Sequence, residues 1–149
     1  MNSYEDFSVS LSSEILEGLH MGGSDESGEF IPIINYDLVV THYKDSEPYA
    51  LTKKEIRLCF PDSSIEFIDL IKLQSAVGEA FGVWKDGGRV LVRCQAGLNR
   101  SGLTTALILI ESGFAPDQAI DFIRVKRSKH ALFNHFYTDY ILTKGEISH

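Results

Sequence analysis

Two cysteines in 149 residues, Cys59 and Cys94, are too few for a disulfide framework. Such low usage fits a reducing compartment, where a free thiol stays reactive. Basic residues are outnumbered, 14 Lys and Arg against 21 Asp and Glu, and the net charge of −7 gives no general attraction to nucleic acid or acidic membrane. A contact with a polyanion would need a local patch, and the best one is Arg124 to Lys129. Long hydrophobic runs are missing as well. The longest, Leu103 to Ile110, is interrupted by threonines and closed by Glu111, far short of the roughly 20 residues a membrane span needs. The acidic opening Met1 to Asp6 has no apolar core, so no secretory or organelle-targeting signal is visible, and an intracellular, cytoplasmic location is expected.

What is present is an ordinary globular composition, 44% apolar and 11% aromatic, in a length that suits one domain over residues 1–149. Short β-like runs occur at Leu19-His20-Met21, Leu38 to Thr41, Ile56 to Phe60 and Val90 to Arg93. Between Ile65 and Lys85 the residues Phe67, Leu70, Ile71, Leu73, Val77, Phe81 and Trp84 recur at steps of three and four, which predicts an amphipathic helix ended by Asp86-Gly87-Gly88. A second helix is expected from Ser101 to Ser112, stopped by Gly113, and a third from Pro116 to about Arg127. A last helix groups Phe133, Phe136, Tyr137, Tyr140 and Ile141, expected as core. Gly22 to Gly28 reads as a polar loop. Alternating strands and helices imply an α/β fold.

The chemistry concentrates in Arg89 to Gly102, a buried-type strand, a short loop and a helix, with Cys94 and Arg100 six positions apart. A loop entering a helix N-terminus aims successive N–H groups inward, and the helix dipole adds partial positive charge there, so the segment Gln95, Ala96, Gly97, Leu98, Asn99 and Arg100 is suited to cradle an oxyanion. Gly97 allows the backbone to curl, and the planar fork of Arg100 can bind two phosphate oxygens. The same field would hold Cys94 as thiolate and make it a nucleophile toward phosphorus. Backbone donors and Arg100 can stabilise the charge of a loose phosphoryl-transfer transition state without a metal, so no cofactor or metal is expected.

Cys94, the five residues after it, Arg100 and Ser101 together resemble the signature loop of the cysteine-based protein tyrosine phosphatases, especially their dual-specificity branch. Ile15 to Gly23 is similar to that branch's opening strand pair, and Tyr36 to Val40 to its next strand. The resemblance implies a single-domain cysteine-phosphatase fold, a central, mostly parallel, twisted sheet flanked by helices. It implies phosphate-monoester hydrolysis on protein tyrosine and serine or threonine through a cysteinyl-phosphate, with phosphorylated protein as the partner. It also implies a general acid, an Asp on a mobile loop about thirty residues before the cysteine. Asp62 in Phe60-Pro61-Asp62 stands 94 − 62 = 32 positions before it and is the choice, with Asp69 as the spare. Ser101 resembles the hydroxyl that donates to the cysteine sulfur, although a helix N-terminus favours serine for capping alone.

Several positions leave alternatives open. The family usually carries His before the nucleophile, where this chain has Arg93, which either favours the thiolate or turns away toward solvent or a carboxylate. Cys59 is a partner for a reversible disulfide with Cys94 or, in the plainer reading, a buried small apolar residue. His130 and His135 form only a loose pair and predict no metal site. The run Arg124 to Lys129, followed by Asn134, is either a solvated helix end or a support for the loop. Phosphoinositide phosphatases of the superfamily tend to place basic residues inside the loop, whereas Gln95, Ala96, Leu98 and Asn99 are uncharged, so the resemblance disfavours inositol lipids. Gly97 to Gly102 also resembles the loop of RNA 5′-triphosphatases in the same superfamily, where Asn precedes the arginine, so an RNA 5′ end is the alternative substrate. A non-catalytic phosphate-binding module is a third reading, opposed by the presence of Cys94, Arg100 and Asp62.

Overall fold

The computed structural model describes residues 11–24 and 34–147. Expectations about Met1 to Asp6, and about the polar loop beyond Ser24, lie outside the described residues. Strands β1 (Ser12–Leu16) and β2 (Leu19–Gly22) form an antiparallel hairpin, and β3 (Leu38–Thr41), β4 (Glu55–Arg57) and β5 (Val90–Arg93) complete a five-stranded sheet in the order β1-β2-β5-β3-β4. All pairings except β1 with β2 are parallel. The hairpin turn needs Gly18, whose φ of +86° is a left-handed conformation that side chains disfavour.

Strands β2, β3 and β5 are buried along their whole lengths, because both faces of the sheet are covered, and this explains their apolar runs. One face carries Leu19, Met21, Leu38, Val40, Val90 and Val92 into the main core with the helices. On the other, Val39 and Leu91 pack against Tyr36, Ile34 and Tyr49. Alternation along β5 therefore sends Val92 toward the helices and Arg93 toward the opposite layer.

The helices are α1 (Leu70–Lys85), α2 (Arg100–Glu111), α3 (Pro116–Lys126) and α4 (His135–Ile147). The helix expected from Ile65 begins five residues later. Ile65–Phe67 forms a 3-10 turn, Ile68 is extended (φ −108°, ψ 131°) and inserts into the core, and Asp69 caps α1 by accepting from the Lys72 N–H at 3.1 Å. The strand expected over Ile56 to Phe60 is shorter, Glu55–Arg57, and the chain beyond it is irregular. Helix α2 is buried from Ser101 to Leu109, which makes it the central helix under β2 and β5. Pro116 opens α3, whose Ala119, Ile120 and Ile123 are buried. In the last segment Tyr137 and Ile141, one turn apart, fill the core, while Phe133 (68% exposed) and Phe136 (47%) face outward, correcting their assignment to the core. Among the described residues no helix is long and apolar enough to cross a membrane.

Candidate active site

The loop from Cys94 to Asn99 leaves the carboxyl end of β5, the central strand, and enters α2, the place where open parallel sheets bind ligands. Its carbonyls are all turned outward and occupied. The Cys94 carbonyl accepts from Ser24 Oγ (3.0 Å), Gln95 from the Ser24 N–H (3.1 Å), Ala96 from Arg127 Nη2 (3.5 Å) and Gly97 from Arg127 Nε (3.1 Å). Leu98 accepts from the Leu132 N–H (3.1 Å) and Asn99 from the Leu103 N–H (2.8 Å). In a planar trans peptide the N–H points opposite the preceding carbonyl, so outward carbonyls from 94 to 99 turn the N–H groups of 95 to 100 inward. The result is an oxyanion nest at the N-terminus of α2.

Gly97 is required for that curl. Its φ is +74°, and a Cβ there would lie 2.5 Å from Gly22 C and Gly23 N. Gly23 packs as closely, since its own Cβ would fall 2.8 Å from the Gln95 carbonyl. The double glycine at the end of β2, read from sequence as the start of a polar loop, is a wall of the site. Arg127 grips the loop from behind and also donates to Ser13 Oγ at 3.1 Å. Burial lowers its pKa from the ordinary arginine value, opposed by the charge of the nearby Cys94.

Cys94 is 2% exposed, and a 3.3 Å hydrogen bond joins its Sγ to Ser101 Oγ. Ser101 is therefore turned toward the sulfur rather than used as a helix cap. The residue at the cap position is Asn99, and its side chain makes no capping bond. Arg100 donates from Nη1 to the Phe60 carbonyl at 3.0 Å and stacks over Tyr43 at 5.4 Å. Its Nε is buried without a protein partner, a costly arrangement for a charged donor that a bound oxyanion would relieve.

Asp62 is brought to the loop by side chains far away in sequence. Its Oδ2 accepts from Asn99 Nδ2 (2.9 Å) and its Oδ1 from Asn134 Nδ2 (2.7 Å). Asp69, the spare acid, is used to cap α1, where its Oδ1 accepts from the Lys72 N–H. The two alternatives for Arg93 are decided by strand parity. It lies across the sheet from the main core, donating to Thr41 Oγ1 (3.0 Å), the Glu47 carbonyl (2.6 Å) and Glu55 Oε2 (3.2 Å). Burial alone would raise the Glu55 carboxyl, but hydrogen bonds from Thr41, the Tyr49 N–H and Arg93 hold it below its ordinary value. Cys59 is exposed, so the reading of it as a buried apolar residue is corrected. Burial of part of its surface still raises its thiol pKa. Among the described residues no group of three or more His, Cys, Asp or Glu is placed to hold a metal ion.

The loop thus brings together a buried thiol at the foot of an N–H nest, an arginine at its end and a hydroxyl on the sulfur. No family model matches the chain. Among curated proteins, 72 residues (47% of the chain) are 38% identical to the probable protein tyrosine phosphatase type IVA B of Dictyostelium discoideum, covering 44% of that protein. Over 87 residues (58% of the chain) it is 36% identical to mouse dual specificity protein phosphatase 2, covering 23% of it. The chain thus spans less than half the length of either. Among solved structures, human DUSP28 superposes with a TM-score of 0.77 over 91% of this chain and 96% of that one, at 17% identity. The relatives carry the names of tyrosine and dual-specificity phosphatases, and the chain shares the fold of the solved dual-specificity phosphatase structure.

Proposed function

We propose that this chain hydrolyses phosphate monoesters on protein tyrosine and serine or threonine through a cysteinyl-phosphate. The observation that carries the reading is the outward rotation of the loop carbonyls around Cys94, which prepares inward N–H donors for an oxyanion on its Sγ. In the first step the Cys94 thiolate forms an S–P bond while the P–O ester bond breaks. The Asp62 carboxylic acid gives its proton to the departing oxygen. In the second step water attacks phosphorus, Asp62 takes the water proton, the S–P bond breaks and the Ser101 hydroxyl donates to the released thiolate. Inward N–H groups and Arg100 bear the charge on the equatorial oxygens in both steps.

Asn99 gave the RNA 5′-triphosphatase reading its support. Its side chain instead holds Asp62, and a general acid matters most when the leaving group is an alkoxide or phenoxide rather than a diphosphate. That favours the protein monoester. The test is phosphate release from a phosphotyrosine peptide and from 5′-triphosphorylated RNA, side by side, with chelator present. The peptide is expected to be cleaved faster, and Cys94→Ser to lower its turnover at least about a thousandfold. Faster RNA cleavage would move the protein to RNA 5′-end processing, and peptide binding without turnover by the unaltered chain would leave a phosphate-reading module.

A further inference from the structure

The segment carrying Asp62 is fastened residue by residue. The Phe60 carbonyl accepts from Arg100, the Pro61 carbonyl from Tyr137 Oη (3.1 Å), the Asp62 carboxylate from Asn99 and Asn134, and the Ser63 carbonyl from Asn134 Nδ2 (3.0 Å). Burial pushes the Tyr137 pKa up to about 12, so its hydroxyl remains a donor at any working pH. These anchors are the phosphate loop itself and the start of α4.

Asn134 uses both ends of its amide. Its Oδ1 accepts from the Phe136 N–H (3.0 Å) and the Tyr137 N–H (3.4 Å), the capping pattern for α4, while its own N–H donates to Asn99 Oδ1 (3.0 Å). Capping requires only an acceptor, which Ser or Asp supplies as well. The Nδ2 end is what an asparagine adds, and it is spent on Asp62 and Ser63. Each Asp62 oxygen gives one lone pair to an amide, so the clasp fixes the orientation of the carboxyl group.

We infer that Asn134 is a positioning residue which, with Asn99, holds the Asp62 carboxyl at the phosphate loop before substrate arrives, so that acid catalysis needs no loop closure. The inference rests on the phosphatase reading. Asn134→Ser separates its two roles, because serine keeps the cap and loses the donor. The experiment measures kcat and KM for phenyl phosphate, whose phenolate leaves poorly, and for 4-nitrophenyl phosphate, whose phenolate leaves well. The proteins compared are the unaltered chain, Asn134→Ser, Asp62→Asn, the double variant and Cys94→Ser, with thermal unfolding of each.

Asn134→Ser is expected to lower kcat on phenyl phosphate about tenfold and on 4-nitrophenyl phosphate less than about threefold, part of the hundredfold or more that general acids contribute. In the Asp62→Asn background it is expected to cost nothing further, since a residue acting through Asp62 has nothing left to position. Equal losses on both esters, or the same loss with and without Asp62, would overturn the inference and leave Asn134 as a cap alone. Turnover that survives Cys94→Ser would overturn the phosphatase reading and, with it, the inference.

Discussion

At the scale of single residues, side-chain direction separated chemistry from structure. Ser101 and Asp69 both stand near the start of a helix and both belong to types that cap helices. Asp69 caps, and Ser101 reaches the sulfur instead, because it lies inside α2 with its hydroxyl facing back into the loop. Removing that hydroxyl should impair thiolate departure more than thiolate attack. Ser101→Ala is expected to lower kcat roughly tenfold or more, the value of one hydrogen bond to a charged group, and to produce a burst of alcohol release as cysteinyl-phosphate accumulates. Rapid-quench measurement of the burst checks it, and a slowed first turnover without a burst would count against the role.

At the scale of elements, β5, the loop and α2 act as one unit in which strand parity assigns each neighbour of Cys94 its side. A cation next to Cys94 in sequence could favour its thiolate only if its side chain faced the sulfur. The position of Arg93 one step before the loop places it instead on the sheet face away from the main core, where it is only 7% exposed and paired with Glu55. Arg93→Ala would remove the donor to Thr41, the Glu47 carbonyl and Glu55, but Glu55 keeps Arg57 at 2.9 Å, so the loss is expected to be about 2 kcal/mol of stability, the scale of a hydrogen bond to a charged group. The surviving folded protein should keep kcat/KM within a fewfold. Chemical denaturation together with kinetics tests this, and a large kcat loss in a protein of unchanged stability would restore the tuning role. Arg127 belongs to the same scale. It closes α3 and holds two loop carbonyls, so a basic run that also reads as a solvated helix end is a support of the nest.

For the whole molecule, the expected pH response follows from His42, which is fully buried between β3 and α2. Its Nδ1 donates to the Leu58 carbonyl (2.7 Å), and its Nε2 accepts from Thr104 Oγ1 (2.7 Å). Burial lowers its pKa to about 4; the Leu58 carbonyl opposes the shift and the Arg100 charge adds to it. The folded state thus binds this proton less readily than the unfolded chain, whose histidine titrates near 6.5. Stability should be unaffected by His42 above that pH and fall by about 1.4 kcal/mol per unit between pH 6.5 and 4. His20, lowered chiefly by burial against the pull of Glu14, adds a slope of the same sign. Denaturant midpoints at pH 7, 6 and 5 measure it, and His42→Gln should flatten the slope; an identical slope in that variant would remove His42 as the cause.

The loop that carries Cys94, Arg100 and Ser101, and the order of strands and helices around it, were legible along the chain, because each depends on neighbours a few residues away: strand alternation, helix periodicity, the spacing of one short loop. Asp62 was reached only through family resemblance, and what holds it was not legible. Asn99, Asn134 and Tyr137 meet it across 37, 72 and 75 positions, the last through the adjacent Pro61, and no local pattern encodes such a meeting. The exposure of Phe133 and Phe136, and the double glycine pressed against the loop, had the same origin. Local sequence determined which elements form and where the reactive loop lies. Only tertiary packing decided which side chains converge on that loop, since convergence depends on how distant segments dock around the buried α2.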